Sequence, residues 1–515
     1  MDEAHESSKT FEPLRKPNPT ERRLSARHAY RYYNNLVVAG IYKFPASTNP
    51  LKTTPSALCK LVQPSLEQCV RTHPFLSVVI RDATTKNETY STSRQLDLQD
   101  HFHIIDSKAI PQLPELRNEE FTIKCLIEYI LNDSELTFFD NADKIPPWRV
   151  DVFPLGPQAG QPRLLVSFTY SHSHADGMSG PAFHKTLLQS MNRMLRVSPE
   201  ESSTILSTTK AHLPGLPQMP VSLSYLLAPA LGHYLPEFVR RWFGFKGSVS
   251  GADDDTWTGS QTFVGNDGGP IKTVVEVLSI DHETISAVLN TCRKHDTKLT
   301  SVLNEVIAHS LARQHAIGIQ ALSRKLNFVS STPNNLRKVV GRSNDVIGVF
   351  ASTAYTIHVV HTSTDSESDI TLDNEFWTRA SQASKSFAVA SSTLQDQPIG
   401  LLRFISDING WMKGHIDHKR DASWELSNLM SFDGGSGDDE ITVEKMYFCQ
   451  PADAAGMPLT FNVISVQGGD LVICVGWQPS ALGICTREEA EDFERKFVKD
   501  LTADMRKYFE KIAQS

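Results

Sequence analysis

Residues 164–170 read Leu-Leu-Val-Ser-Phe-Thr-Tyr, and the run stops abruptly at Ser171-His172-Ser173-His174-Ala175-Asp176-Gly177. A short apolar stretch rich in β-branched and aromatic residues fits a strand buried inside a sheet. Whatever follows such a strand is delivered to the interior, where a cleft can open at the strand end. Here the order is an imidazole, a carboxylate four residues on, and a glycine that lets the chain turn. Past Gly180, Phe183, Leu187, Leu188, Met191 and Leu195 recur at helical spacing. Strand, His-x-x-x-Asp-Gly turn and helix constrain this chain more than any other feature.

A neutral imidazole, with an unperturbed pKa of about 6.5, is a competent base near neutrality. General-base catalysis is worth on the order of 10²–10⁴-fold, so it needs an electrophile held beside it and donors for the oxyanion that forms. The chain carries no Gly-x-Ser-x-Gly elbow. Cys449 and Cys485 have no base near them in sequence and read as core residues. His172 is therefore expected to deprotonate a group brought in from outside. The carboxylate of Asp176, beyond the turn, is suited to locking the backbone through an arginine or through amides. His174 reads as a neighbour of the base, lining a channel or purely structural.

The same residues also spell His-x-His-x-Asp, the start of a binuclear zinc hydrolase signature, in which alternate positions of a loop converge on metal. That signature wants a further His where this chain has Gly177. Its downstream ligands are also missing, because His309 and His315 fall in or at the end of an expected helix and His184 on a helix surface. The site is expected to hold no metal.

Hydrophobic residues make up 40% of the 515 and charged residues 21%, enough for a sizeable core, and the formal net charge is -8. No basic tract interleaved with aromatics points to nucleic acid. The N-terminus is acidic and polar, unlike a secretory leader. No apolar run approaches the roughly 18 residues of a bilayer span. Seven scattered cysteines without a C-x-x-C fit reduced thiols in a cytoplasmic protein.

Residues 1–20 are polar and read as poorly ordered. Helices are expected over 56–72, 123–131, 282–293, 300–314, 376–390 and 486–512. Strands are expected over 73–80, 146–153, 272–280, 325–331, 346–357, 424–430 and 458–466, the last joined across Gln467-Gly468-Gly469 to a hairpin partner at 470–477. Residues 251–269, 362–369 and 433–440 are solvated loops with no phosphate-binding spacing. The Ser, Thr and Pro-rich stretch 202–222 reads as a crossover. Residues 223–245, apolar with Arg240-Arg241, read as a linker helix packed on the body; its few basic residues argue against a membrane-surface helix. The expected organisation is 1–205, a crossover over 206–245, and 246–515, each half restarting the alternation of strand and helix.

His172-x-x-x-Asp176-Gly177, a third of the way along the chain, resembles the motif of the CoA-dependent acyltransferase superfamily. That group includes chloramphenicol acetyltransferase, the plant BAHD acyltransferases and peptide-synthetase condensation domains. With His73-Pro74-x-Leu76, Pro147-Trp148-Arg149, Ser427-Asn428-Leu429 and the ending over 461–477, the chain looks most like the fungal alcohol O-acetyltransferases. The resemblance implies an α/β fold of two chloramphenicol-acetyltransferase-like domains, each a mixed sheet flanked by helices, with a channel at their interface. It implies His172 as the base for direct attack of an acceptor hydroxyl on a thioester, and Gly177 as part of the motif. Asp176 would be structural, paired with Arg337 or, second, Arg149, and Ser427 and Asn428 would line the channel. It also implies acetyl-CoA or another acyl-CoA as co-substrate with no permanently bound cofactor. The acceptor would be a small hydrophobic alcohol, and the protein a monomer. N-acylation, cyclisation or another CoA-independent reaction in the same pocket is the alternative. Two departures stand out. Ser427 to Phe432 occupies the place of the Ser-Asn-x-Gly of fungal members, and Ser171 precedes His172 where many relatives carry a second His.

Overall fold

The apolar run becomes the middle of an eleven-residue strand in the computed structural model, which describes residues 11–45, 54–106, 110, 119–133, 140–196, 204–208, 212–227, 249–264, 271–318, 325–361, 370, 372–435, 440–485 and 490–515. In chain order the strands are β1 (Phe11–Arg15), β2 (Asn35–Lys43), β3 (Val78–Arg81), β4 (Thr89–Ser93), β5 (Gln95–Asp97), β6 (Phe102–Ile104), β7 (Trp148–Gln158), β8 (Gln161–Ser171), β9 (Ile205–Ser207), β10 (Val274–Ile280), β11 (Lys325–Asn335), β12 (Ala351–His361), β13 (Trp424–Phe432), β14 (Thr442–Cys449), β15 (Leu459–Val466) and β16 (Leu471–Trp477).

The strand that ends at His172 is β8. It lies at the centre of a five-stranded mixed sheet, ordered β14-β2-β8-β7-β6, and is buried from Arg163 to Ser171. Its two faces feed two different cores. Leu164, Val166, Phe168 and Tyr170 pack with the helices Pro55–Thr72 and Ser179–Arg196. Leu165 joins Val37, Ala39 and Ile41 of β2 and the helix Glu119–Asn132. That second core also takes in Val275 and Val277 of β10 and Val472 and Cys474 of β16, so the two large sheets share it. The period-2 alternation of a strand covered on both sides thus divides one run of apolar residues between two hydrophobic layers.

The second large sheet is six-stranded and mixed, ordered β10-β16-β15-β13-β11-β12, with β13 parallel to both β11 and β15. Its other face, including Trp424, Phe461, Ile473 and Trp477, packs on the helices His282–Lys294, Leu299–Gly318, Asn374–Ala390 and Ala490–Ala513. The architecture is two mixed sheets flanked by helices. The sheet of the first half takes its edge strand, β14, from the second half, where Phe448 pairs with Val38.

Several sequence expectations need correcting. Residues 11–20 are ordered: Phe11–Glu12 pair with Thr92–Ser93 of β4, and the helix Pro19–Ala29 begins at an Asn18 capping box with Glu21. Residues 74–77 form a 3-10 turn opened by Pro74, so only Val78–Arg81 of the expected 73–80 strand joins a sheet. Residues 346–350 are not strand, because they are drawn to the turn after β8; β12 begins at Ala351. His184 is fully buried rather than on a helix surface. It bonds the Tyr42 hydroxyl through Nδ1 and donates from Nε2 to the Val38 carbonyl. Most of 223–245, all of 362–369 and the residues 265–269, 436–439 and 486–489 lie outside the described residues. No helix among the described residues is long and apolar enough to cross a membrane.

Candidate active site

β8 ends at Ser171, and hydroxyls stitch the next turn. Ser171 Oγ contacts Ser173 Oγ at 2.8 Å, and the Ser173 carbonyl accepts from the Tyr90 hydroxyl. The His174 amide closes back on the Ser171 carbonyl at 3.1 Å. Ser171 is thereby part of the turn's own scaffold.

His172 lines a cavity of about 160 Å³ between the two sheets. Its Nδ1 is buried without a hydrogen-bond partner, and its ring centroid lies 5.8 Å from that of Tyr33. Burial, and then the positive charge of Arg27, push the imidazole down to about 4 against the opposing pull of Asp176. The ring is therefore neutral near pH 7 and can accept a proton from a group in the cavity.

Asp176 does not reach across to the imidazole as an orienting partner. Its two oxygens accept from the two Nη atoms of Arg337 at 2.8 Å each. They also accept from the Phe350 amide at 2.9 Å and the Ser179 hydroxyl at 3.1 Å. Arg337 is itself fully buried, with Nε donating to the Val346 carbonyl and Nη2 to the Gly348 carbonyl. A bidentate, fully satisfied pair of this kind is geometrically rigid. It ties the turn after β8 in one half to the 346–350 segment in the other. Arg149 pairs instead with Asp151. Gly177 lines the cavity, where a Cβ would come within 2.8 Å of Leu429 Cδ2 and 3.3 Å of Phe448 Cζ, so a larger residue would have to displace those side chains.

Two expected channel residues are placed elsewhere. Both nitrogens of His174 are engaged, Nδ1 by Ser173 Oγ at 2.8 Å and Nε2 by the Val78 carbonyl at 3.1 Å, and the ring packs among Phe75 and Tyr90 away from the cavity lining. Its role is structural. Ser427 lines the cavity, but its neighbour Asn428 does not, as alternation along β13 requires. Asn428 donates to Thr300 at 3.1 Å and caps the Met430 amide at a bulge where Met430 adopts φ 66°. With His174 on Ser173 and Val78, and Asp176 on Arg337, the His-x-His-x-Asp residues diverge instead of converging on a metal. Among the described residues no three His, Cys, Asp or Glu side chains cluster with metal-binding geometry.

Much of the cavity wall comes from residues that the motif does not announce. The helix Pro19–Ala29 contributes Thr20, Arg23, Leu24 and Arg27 at positions i, i+3, i+4 and i+7, a spacing that puts them on one face. Arg27 forms an ion pair with Asp453 and lies over the Tyr33 ring at 4.3 Å. The Tyr33 hydroxyl donates to Gln450 at 2.6 Å, and Gln450 donates to Glu425 at 2.8 Å. Burial raises the Glu425 carboxyl above its ordinary range. No helix is expected over Pro19–Ala29 from the sequence, so the i, i+4 pair of arginines goes unmarked there. The second-half residues Glu425, Gln450 and Asp453 carry no local signal, because only strand pairing brings them here.

Two mixed sheets meeting over a partly exposed histidine, with the motif carboxylate locked by a distant arginine, have the chloramphenicol-acetyltransferase and condensation-domain fold. Among solved structures the chain is similar to the TRI3 trichothecene 15-O-acetyltransferase from Fusarium sporotrichioides, with a TM-score of 0.64 at 12% identity over 96% of this chain and 94% of the other. It is also similar to the starter condensation domain of rhizomide synthetase RzmA in complex with C8-CoA, with a TM-score of 0.53 at 13% identity, covering 96% and 95%. The family profile described as alcohol acetyltransferase matches residues 119–501, and the chain belongs to that family. Curated relatives include the probable alcohol acetyltransferase FCK4 of Fusarium pseudograminearum, 22% identical over 91% of each chain. Another is the probable alcohol acetyltransferase crmB of Aspergillus fumigatus, 21% identical over 95% of this chain and 97% of its own. The protein is an acyltransferase.

Proposed function

We propose that this enzyme transfers an acyl group, acetyl foremost, from acyl-CoA to the hydroxyl of a small acceptor, as a tailoring step in secondary metabolism. The acceptor hydroxyl enters the cavity beside His172. Its oxygen attacks the thioester carbonyl as the neutral imidazole takes the hydroxyl proton. Collapse of the tetrahedral intermediate breaks the carbon–sulfur bond, and the proton passes from the imidazolium to the departing CoA thiolate. No acyl-enzyme is needed, since His172 can serve as the base and none of the described cavity-lining residues is a cysteine or a serine hydrogen-bonded to a histidine. One observation carries the reading: a partly open imidazole on the wall of an inter-sheet cavity, beside a motif carboxylate fully engaged by Arg337, the Phe350 amide and Ser179. The names of the relatives favour a hydroxyl over an amine as acceptor.

The test is to incubate the protein with a panel of acyl-CoAs and alcohols and to follow free thiol. Acetyl-CoA-dependent ester formation is expected. His172→Ala should lower kcat by about 10²–10⁴-fold while acceptor binding, measured by calorimetry, survives. Full turnover in that variant would remove the assignment.

A further inference from the structure

The cavity holds a cation that its own walls leave unanswered. Arg23 lines it one helical turn before Arg27, and the two guanidinium groups repel. Arg27 is committed to Asp453 and Tyr33. Arg23 makes no hydrogen bond or ion pair among the described residues, and its Nε is buried without a partner. The acids that face it are engaged or hydrated. Asp453 accepts from Arg27 and from the Ala455 amide, Glu425 accepts from Gln450, and Asp421 is exposed to solvent. Tyr355 also acts on it electrostatically. Burial and the charge of Arg27 hold the Arg23 guanidinium below its ordinary range, the mark of a cation short of counter-charge. Arg23 as a whole is half-buried, and a guanidinium partly withdrawn from water into a cavity gains from a paired anion. A guanidinium offers the planar fork that matches a carboxylate with two parallel bonds.

Position decides between the two anions available in such a reaction. Arg27 acts electrostatically on His172 and stacks on Tyr33, whose ring is 5.8 Å from that of His172. Arg23 lies four residues earlier on the helix, a rise of about 6 Å. The phosphates of CoA are separated from its thioester by the whole pantetheine arm. An acidic group on the acceptor itself can sit much closer to the reacting hydroxyl.

Resting on the acyl-transfer reading above, we propose that Arg23 receives a carboxylate of the acceptor, so that the substrate class is a hydroxy acid with its hydroxyl at His172 and its carboxylate at Arg23. This narrows the small hydrophobic alcohol that the family resemblance implies. Leu24, Leu36 and Phe448 on the same walls would cover the carbon skeleton between the two ends.

The experiment compares para-(hydroxymethyl)benzoate with its methyl ester as acceptors, in the wild type and in Arg23→Gln and Arg23→Lys. Melting temperatures confirm that each variant is folded. The wild type should favour the acid in kcat/KM by at least about tenfold, the worth of one charge-assisted contact. Arg23→Gln should collapse that ratio toward one through KM for the acid, with Arg23→Lys between. A ratio unchanged by Arg23→Gln, a wild-type preference for the ester, or an effect carried by KM for acetyl-CoA would overturn the proposal. If no alcohol is acylated from any acyl-CoA, the acyl-transfer reading fails on its own account. Calorimetric titration of the same acid and ester into the wild type and Arg23→Gln then decides. Tighter, Arg23-dependent binding of the acid supports the carboxylate site, and equal binding of acid and ester removes it.

Discussion

At the scale of single residues, one imidazole on the cavity wall is held uncharged near neutrality. Desolvation is the main reason, the nearby Arg27 adds to it, and Asp176 recovers only part, leaving His172 at about 4. A lowered histidine pKa means that the neutral, proton-accepting form persists well below physiological pH. If His172 is the base, kcat/KM should be flat from about pH 6 to pH 8 and fall only as pH drops through about 5 toward 4, where the ring gains its proton. A profile measured under subsaturating substrate checks this, and an acid limb centred near the unperturbed value of about 6.5 would contradict it. The neighbouring histidines share the low values without sharing the cavity. His174 is held at about 3 and His184 at about 4, each by burial, and each spends its nitrogens on structural bonds. The sequence motif singled out His172, while the structure supplies a physical distinction among the three imidazoles. What separates them is which one keeps an unbonded nitrogen and an open side.

At the scale of elements, the turn after β8 is held from the other half of the chain. Arg337 and Asp176, 161 positions apart, form a pair with side chains 0% and 3% exposed. Removing one partner strands a buried charge, at a cost of about 3–5 kcal/mol. Asp176→Asn and Arg337→Met should therefore each lower the urea midpoint by a corresponding amount and depress kcat, because the turn that presents His172 loses its anchor. The double variant should lose less than the sum of the two, since the second change removes the charge that the first left unpaired. Strictly additive losses would mean that the pair is not the anchor. The turn motif and the helix after it were legible, because apolar periodicity and glycine report local burial and local geometry. The swing of 346–350 out of the strand pattern was not. Those residues are apolar enough for a strand, and only the pull of Asp176 and Arg337 on their backbone explains the departure.

At the scale of the whole molecule, the two sheets are less separable than a division at 205 and 246 suggests. β14 crosses back to pair with β2, and one core joins β2, β8 and the helix Glu119–Asn132 to β10 and β16. Fragments 1–205 and 246–515, expressed separately, would each expose a strand edge and half of that core. Neither should show a cooperative thermal transition by circular dichroism, whereas the full chain should. Two independently melting fragments would show that the shared layer is dispensable. The cavity depends on the same integration, since its walls come from the helix Pro19–Ala29, from the end of β8 and from β11, β12, β13 and β14.

Sequence by itself determined the buried strand, the His-x-x-x-Asp-Gly turn, the helix behind it and most of the second half's alternation. These follow from side-chain periodicity and turn chemistry, which act over a few residues. Tertiary structure alone decided that Asn428 and His174 leave the cavity wall, and that Glu425, Gln450 and Asp453 join it. It also decided that Arg23 stands there uncompensated. Which charges meet depends on strand order and register across hundreds of residues, and electrostatic balance is a property of that meeting rather than of any segment.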